Sequence, residues 1–225
     1  ENHLFEISLD GSGYRQLTVG AGVHDIVMHG DQSMFIDRYT DETLPMRITV
    51  EELDPTSSQT VYEETIGDGH RYAAYAKHHV TASFGSIEAA GHTLHYRLTP
   101  PAQINGQHPT IVYVYGGPGV QKVRRDWGSV LVQLFAQRGY GVLELDNRGS
   151  TNRGSAFEAG LYKRMGSIEV DDQVLGTQIL HNAAWADPER IGVFGHSYGG
   201  YMTLMCLAKA GHCFKAGVAV APVAD

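Results

Sequence analysis

The chain has 225 residues, of which 42% are hydrophobic and 19% are charged, as is typical of a folded globular protein. A net charge of −8 at pH 7 argues against binding to nucleic-acid phosphates. No apolar run reaches the roughly 20 residues of a membrane-spanning helix, and the first residues lack the basic and apolar regions of a signal peptide. Cys206 and Cys213 form no metal-binding pattern, so we expect two packing residues and neither a metal nor a cofactor.

The first 76 residues show a pattern typical of short antiparallel strands separated by Gly, Asp and Pro. Strands are predicted at 4–9, 14–18, 24–28, 33–39, 46–53 and 60–66. Their spacing suits the four-stranded blades of a β-propeller, of which about one and a half would fit in this stretch. Because a propeller needs at least about four blades to close, this stretch is predicted to be a piece of one.

From residue 77 onward the pattern changes to an alternation of strands and helices. A hairpin is predicted at 80–84 and 93–98, strands at 110–115, 141–145, 190–194 and 216–220, and helices at 130–137, 167–184 and 198–210. This alternation indicates an α/β fold with a parallel sheet flanked by helices. Ligands of such a sheet bind beyond the carboxyl ends of its strands.

The clearest functional motif is Gly195-His196-Ser197-Tyr198-Gly199. It lies between a predicted strand and a predicted helix, which is the context of a nucleophile elbow, where a strained turn presents the serine hydroxyl. Side chains at the two glycines would collide with neighbouring backbone. The motif therefore predicts Ser197 as the nucleophile of a serine hydrolase, with the positive end of the following helix directed at the reaction centre.

Acyl transfer also requires hydrogen-bond donors for the oxyanion. The backbone N–H of Tyr198 is one candidate, and the loop after the strand at 110–115, beginning Tyr115-Gly116-Gly117, is expected to supply the other. Tyr115 could be a strand-end aromatic residue or a phenol donor into the site. A phosphate-binding loop is disfavoured because no Gly-Lys-Ser/Thr follows.

The sequence departs from an intact serine hydrolase after the elbow, because an acid and a histidine should follow the nucleophile along the chain. Only His212 follows, at the far end of the predicted helix, and it is expected to be a surface or packing residue. His196 lies on the elbow, where its side chain should point away from the serine. Asp225 stands at the carboxyl end of a strand but has no histidine to orient.

Two acidic clusters lie apart from the serine motif. Carboxylates at 169–172 could act in acid–base chemistry, but at a helix start they are expected to stabilise the helix or to pair with Arg148 or Arg164. The acidic stretch Val61–Glu64 is expected to be an exposed strand end.

Five stretches together resemble the prolyl oligopeptidase family of serine peptidases, and most closely its dipeptidyl peptidase IV branch. They are Tyr115–Gln121, Asp146–Ser150 with Arg153-Gly154, Gly166–Gln173, Gly195–Tyr201 and Ala219–Val223. The resemblance implies that residues 1–76 form the C-terminal part of a β-propeller. It implies that 77–225 form the N-terminal part of an α/β-hydrolase domain, truncated after the strand that follows the nucleophile helix.

The same resemblance assigns roles to individual residues. It implies Ser197 as nucleophile, the Tyr115 hydroxyl and the Tyr198 amide as the oxyanion hole, and Tyr198 and Val223 as walls of a pocket for a proline or alanine side chain. The family's acid and histidine, and the glutamates that bind the substrate's amino group, have no counterparts here. Val61–Glu64 resembles the glutamate pair only superficially.

We therefore expect a segment of a serine exopeptidase that releases X-Pro or X-Ala dipeptides from peptide N-termini and is inactive as this isolated chain. The alternatives are an acylaminoacyl peptidase or an oligopeptidase of the same family, or a non-catalytic scaffold that has lost its triad. The expected partners are a peptide substrate, the remainder of the polypeptide or a partner chain, and a second full-length copy in a homodimer. The resemblance suggests a periplasmic, secreted or membrane-anchored enzyme.

Overall fold

The computed structural model describes residues 1–54 and 56–224, and the chain divides into two compact units. The first unit contains residues 1–77 together with 124–129, and the second contains 78–123 and the chain from 130 onward. Nothing in the sequence predicted that the short segment 124–129 would belong to the first unit. Asp225, considered above as a carboxylate at the sheet edge, lies outside the described residues.

The first unit is made of antiparallel strands, as the turn-rich sequence predicts. Its strands are β1 (Phe5–Glu6), β2 (Arg15–Gln16), β3 (Val23–Met28), β4 (Met34–Thr40), β5 (Arg47–Leu53) and β6 (Thr56–Glu63), and a short helix follows, α1 (Ala73–Ala76). Strands β1 and β2 pair with each other, and β3 to β6 form a four-stranded sheet in chain order. All six predicted strands are present, although β6 begins four residues before its predicted start at 60.

Side chains of β4 alternate between buried and exposed, which places Phe35, Asp37 and Tyr39 on the inner face. The buried Asp37 accepts a hydrogen bond from the ring of His24, with Oδ2 and Nδ1 2.6 Å apart. Strand β6 is exposed along its whole length. The prediction that Val61–Glu64 is an exposed strand end is therefore confirmed for the strand residues, while Glu64 is half-buried and binds His70.

The second unit is built on a six-stranded mixed sheet in the order β12-β11-β9-β10-β8-β7. Its strands are β7 (Ser83–Ala89), β8 (His92–Thr99), β9 (His108–Tyr113), β10 (Gly141–Leu145), β11 (Ala186–His196) and β12 (Phe214–Val220). Strand β8 pairs antiparallel with β7 and β10, and the remaining pairs are parallel. The predicted hairpin forms, but its first strand spans Ser83–Ala89 and not 80–84, since it continues to the two-residue turn Ala90-Gly91, where both φ angles are positive.

Helices cover part of this sheet: α2 (Val130–Gln137), α3 (Ser155–Glu158), α4 (Ile168–Gly176) and α5 (Tyr198–Lys209). The predicted helix at 167–184 is wrong in its second half, because the α-helix ends at Gly176 and Thr177–Asn182 form a 3₁₀ helix. The Thr177 hydroxyl donates to the Val174 carbonyl at 2.7 Å, competing with the helical backbone bond there.

The central strands and α5 form the core of the second unit. Every residue of β10 is buried, and α5 buries Met202 and Cys206 completely. Cys206 is thus a packing residue, as predicted, and Cys213 is half-buried against the same core. Among the described residues, no helix is long and apolar enough to cross a membrane.

Strand β12 lies at the edge of the sheet, and its outer side chains are exposed. Val218 is 58% exposed and Val220 40% exposed. An apolar groove of about 430 Å³ runs over the adjacent strands and is lined by residues that include Ile111, Phe135 and Val193. Strand β12 therefore combines a position at the edge of the sheet with exposed apolar side chains.

Candidate active site

Ser197 occupies the sharp turn between β11 and α5. Its backbone has φ = 59° and ψ = −119°, a conformation that side-chain-bearing residues rarely adopt. The turn is held from both sides: the Ser197 N–H donates to the Val220 carbonyl at 3.0 Å, and its carbonyl accepts from the N–H groups of Tyr201 at 3.1 Å and Val223 at 3.3 Å. A strained serine fixed by three backbone hydrogen bonds is the geometry of a nucleophile elbow.

The glycines around Ser197 are required by close backbone packing. A Cβ atom at Gly195 would lie 2.1 Å from the Gly199 carbonyl oxygen, and one at Gly199 would lie 2.3 Å from the Val114 carbonyl oxygen. At Gly200 the nearest atom would be the Cα of Pro222 at 2.9 Å. These distances explain physically why the motif carries Gly at these positions.

The two predicted oxyanion donors are neighbours. Tyr198 is the first residue of α5, so its N–H has no acceptor within the helix and is free to bind an anion. Tyr115 lies two residues beyond the end of β9 and is half-buried, with its ring centroid 6.0 Å from that of Tyr198.

The loop that carries Tyr115 is anchored by a residue that sequence reasoning missed. The fully buried Asn147, two residues after β10, donates from Nδ2 to the Gly116 carbonyl at 2.9 Å, and its Oδ1 accepts from Gln173 at 2.8 Å. Its position at the carboxyl edge of a strand was the available signal. Beyond Gly116, a Cβ at Gly117 would lie 2.5 Å from the Tyr198 ring, so the loop touches the elbow helix directly.

The side chain of Tyr198 points into the protein and is 8% exposed. Its hydroxyl donates to Oε1 of Glu169 at 3.0 Å, and its ring packs edge-on against Tyr201. Burial, together with the nearby Glu169 carboxyl, raises the pKa of the Tyr198 phenol. The phenol therefore remains protonated and acts as a donor.

The acidic cluster at 169–172 divides into two roles. Asp172 forms a buried ion pair with Arg148, whose Nη2 lies 2.6 Å from Oδ1, so the predicted pairing with Arg148 is confirmed. The contact of Glu169 with Tyr198 was not predicted from the sequence. Sequence rules for contacts within one helix, such as i,i+4 pairing and helix capping, do not predict a contact between residues that are 29 positions apart.

His212, beyond the end of α5, is exposed, as the sequence predicted. His196 is exposed as well. Among residues 1–54 and 56–224, the Ser197 hydroxyl has no hydrogen-bond partner. Val223, the second predicted pocket residue, lies beside Ser197 through its backbone bond and is 46% exposed.

The described part of the chain holds no group of three or more His, Cys, Asp or Glu side chains that could bind a metal ion.

Asp146, the residue after β10, is a further buried carboxyl group beside Asn147. It accepts the backbone N–H groups of Lys122 at 2.7 Å and Val123 at 3.2 Å. Burial nevertheless raises its pKa from 3.8 to about 6, with the backbone bonds and Arg153 opposing the shift.

We expect Asp146→Asn to remove from the pH dependence of stability in the full-length protein one contribution that falls as the pH rises. The folded state binds the Asp146 proton more tightly than the unfolded chain does, so this group's contribution to the free energy of unfolding falls as the pH rises from about 4 to about 6. The loss is on the order of 2 kcal/mol. Urea titrations of both proteins across this range would show it as a difference between the two curves, and parallel curves would contradict it.

Comparison with known proteins agrees with these features. A model of the prolyl oligopeptidase family matches residues 128–225. Human dipeptidyl peptidase 8 is 34% identical and the mouse protein of the same name is 33% identical; each alignment covers 99% of this chain and 26% of the relative. The crystal structure of Porphyromonas gingivalis dipeptidyl peptidase 4 superposes with a TM-score of 0.87 at 27% identity, covering 99% of this chain and 32% of that one.

These similarities extend over almost the whole chain, which spans about a quarter of the length of the curated relatives that it matches. The family model covers the elbow, α5 and β12, where the strained serine and its glycines lie. Sequence similarity, fold and site geometry thus agree. Residues 128–225 match the prolyl oligopeptidase family, and the chain as a whole is similar to dipeptidyl peptidases.

Proposed function

We propose that this chain is a segment of a serine exopeptidase that releases X-Pro or X-Ala dipeptides from peptide N-termini. The observation that carries the proposal is Ser197, held in strained geometry at the start of α5 beside two candidate oxyanion donors. In this proposal the first unit is part of a β-propeller. The second is the front part of an α/β-hydrolase domain, in which a nucleophile elbow joins a strand of the sheet to a helix.

The proposed reaction proceeds through a covalent intermediate. The Ser197 oxygen attacks the carbonyl carbon of the second substrate residue while its proton passes to the general base, which later gives it to the leaving amine, and the carbonyl oxygen gains negative charge. The Tyr198 N–H and the Tyr115 hydroxyl donate to that oxygen, and the positive end of α5 favours the charge. Loss of the peptide amine leaves an acyl-enzyme, which water hydrolyses.

The general base and its orienting acid would come from polypeptide outside these 225 residues, because the described residues place no histidine against the Ser197 hydroxyl. The isolated chain is accordingly proposed to be inactive. The apolar surface beside β12 is proposed to pack against the remainder of the polypeptide. A monomeric, cooperatively unfolding preparation of residues 1–225 would contradict that packing.

The substrate preference rests on the relatives, which are named dipeptidyl peptidases, and on the surroundings of Ser197. Tyr198 directly follows the serine along the chain, and the N–H of Val223 donates to the Ser197 carbonyl oxygen. In the proposal, one edge of the largely buried Tyr198 ring and the Val223 side chain border a small apolar pocket for proline or alanine.

The full-length protein provides the test. A fluorophosphonate probe should label Ser197, and Gly-Pro-nitroanilide should be hydrolysed much faster than the same substrate with a blocked amino group. Labelling with preference for N-acylated or internal peptide substrates would instead indicate an acylaminoacyl peptidase or an oligopeptidase. A folded protein that is not labelled would support a non-catalytic scaffold.

We expect Tyr115→Phe to lower kcat of the full-length enzyme by about 10²- to 10³-fold, because it removes one oxyanion donor while keeping the ring. Tyr113→Phe is the matched control: Tyr113 lies two residues earlier on β9, where its ring packs against Phe194. The control should retain wild-type activity. Equal activities of the two variants would exclude the Tyr115 hydroxyl from the oxyanion hole.

A further inference from the structure

A completely buried carboxyl group lies directly behind the proposed oxyanion hole. Glu169, in the first turn of α4, accepts hydrogen bonds from the backbone N–H of Gly166 and of Ser167, the latter at 2.9 Å, and from the Tyr198 hydroxyl at 3.0 Å. The two backbone bonds resemble a capping box and account for the start of α4. The third bond connects α4 to the residue that follows the nucleophile.

Tyr198 is consequently fixed at both of its ends. Its backbone is part of the elbow, and its hydroxyl is held by Glu169 on another helix. Between these ends, the ring leaves no room for a side chain at Gly117, whose Cβ would lie 2.5 Å from it, and it packs 6.0 Å from the ring of Tyr115. The Tyr198 ring is therefore the spacer between the segments that carry the two candidate oxyanion donors.

We propose that Glu169 is a positioning residue for the oxyanion hole: by holding the Tyr198 hydroxyl, it fixes the ring that sets the distance between the Tyr198 N–H and the Tyr115 hydroxyl. This inference rests on the proposed function. Glu169 itself does not touch the substrate. The peptide group between Gly166 and Ser167 holds Glu169 firmly. Its N–H donates to Glu169, and its carbonyl oxygen accepts from the Lys209 ammonium group.

The proposal separates a catalytic effect from a purely structural one. If Glu169 served only to start α4, loss of the Tyr198 hydroxyl would not change the rate at which Ser197 reacts. If Glu169 acts through Tyr198, removing either end of their hydrogen bond lets the ring shift and misplaces an oxyanion donor. Displacements below 1 Å at a reaction centre are enough to slow catalysis.

The test uses four forms of the full-length protein: wild type, Glu169→Gln, Tyr198→Phe and the double variant. We expect each single variant to lower kcat and the rate constant of fluorophosphonate labelling on the order of tenfold, with KM for a dipeptidyl substrate nearly unchanged. The double variant should be no slower than the slower single variant, because both changes break the same bond. Complete labelling at long times shows that the elbow is intact.

Asp171→Asn is the matched control, since it removes an exposed charge from the same helical turn and should keep the wild-type rate. If the Glu169→Gln variant does not fold, the labelling rate of Tyr198→Phe by itself tests the positioning role, because this variant leaves both backbone hydrogen bonds of Glu169 in place. A wild-type labelling rate in Tyr198→Phe would overturn the positioning role. Absence of labelling in the wild type would instead overturn the proposed function, and the positioning role with it.

Discussion

Gly195→Ala in the full-length protein should abolish most of the peptidase activity and destabilise the fold by about 3 kcal/mol or more. The added methyl group would lie 2.1 Å from the Gly199 carbonyl oxygen and 2.3 Å from its carbonyl carbon. Both are backbone atoms of α5, so no side chain can rotate away to make room. The helix must move by more than 1 Å, which is enough to cost about 10²-fold in rate.

Gly192→Ala is the control for this experiment, because Gly192 lies on the same strand and its Cβ would meet nothing closer than 3.5 Å. It should be neutral or slightly stabilising, since alanine restricts the unfolded chain more than glycine does. The readouts are the melting temperature and kcat/KM of both variants. Similar behaviour of the two would show that the elbow tolerates a side chain at position 195.

Ser197→Gly should remove activity by roughly four to six orders of magnitude while making the protein more stable, by about 1 kcal/mol. The nucleophile is lost, and glycine adopts φ = 59° and ψ = −119° without the strain that serine bears there. The strained turn that exposes the serine hydroxyl would thus make the wild-type protein less stable than the glycine variant.

Ser197→Ala separates the two effects, because it removes the nucleophile but keeps a Cβ in the strained conformation. It should be as inactive as Ser197→Gly and melt at the lower temperature of the wild type. Equal melting temperatures for the glycine and alanine variants would mean that the turn stores no strain. Substantial hydrolysis by either variant would mean that Ser197 is not the nucleophile.

The α/β fold and the elbow could be predicted from the sequence because their signals are local. The strand, the glycines and the helix around Ser197 are contiguous, and the helix at 130–137 and the strand at 141–145 were predicted with their observed bounds. Likewise, the exposed His212 follows from counting residues along one helix.

What the sequence could not provide are contacts between distant segments. Asn147 binds Gly116, 31 positions away, and Glu169 binds Tyr198, 29 positions away. Neither contact produces a periodic pattern of residues from which it could be predicted. The 3₁₀ continuation after Gly176 was missed for a related reason: the pattern of apolar residues is nearly the same in both helix types. Local patterns thus predicted the strained elbow around Ser197, whereas the residues that hold its surroundings in place became visible only in three dimensions.

The hydrogen bond from the Val223 N–H to the Ser197 carbonyl oxygen limits how the proposed peptidase site can be redesigned. Under the proposed function, Val223 is a position at which to change substrate selectivity, since its side chain is accessible and its backbone contacts the serine. Its amide, however, is one of the groups that hold the strained turn. Side-chain exchanges that keep the amide can alter selectivity alone, whereas proline at 223 would remove the amide hydrogen and change reactivity at the same time.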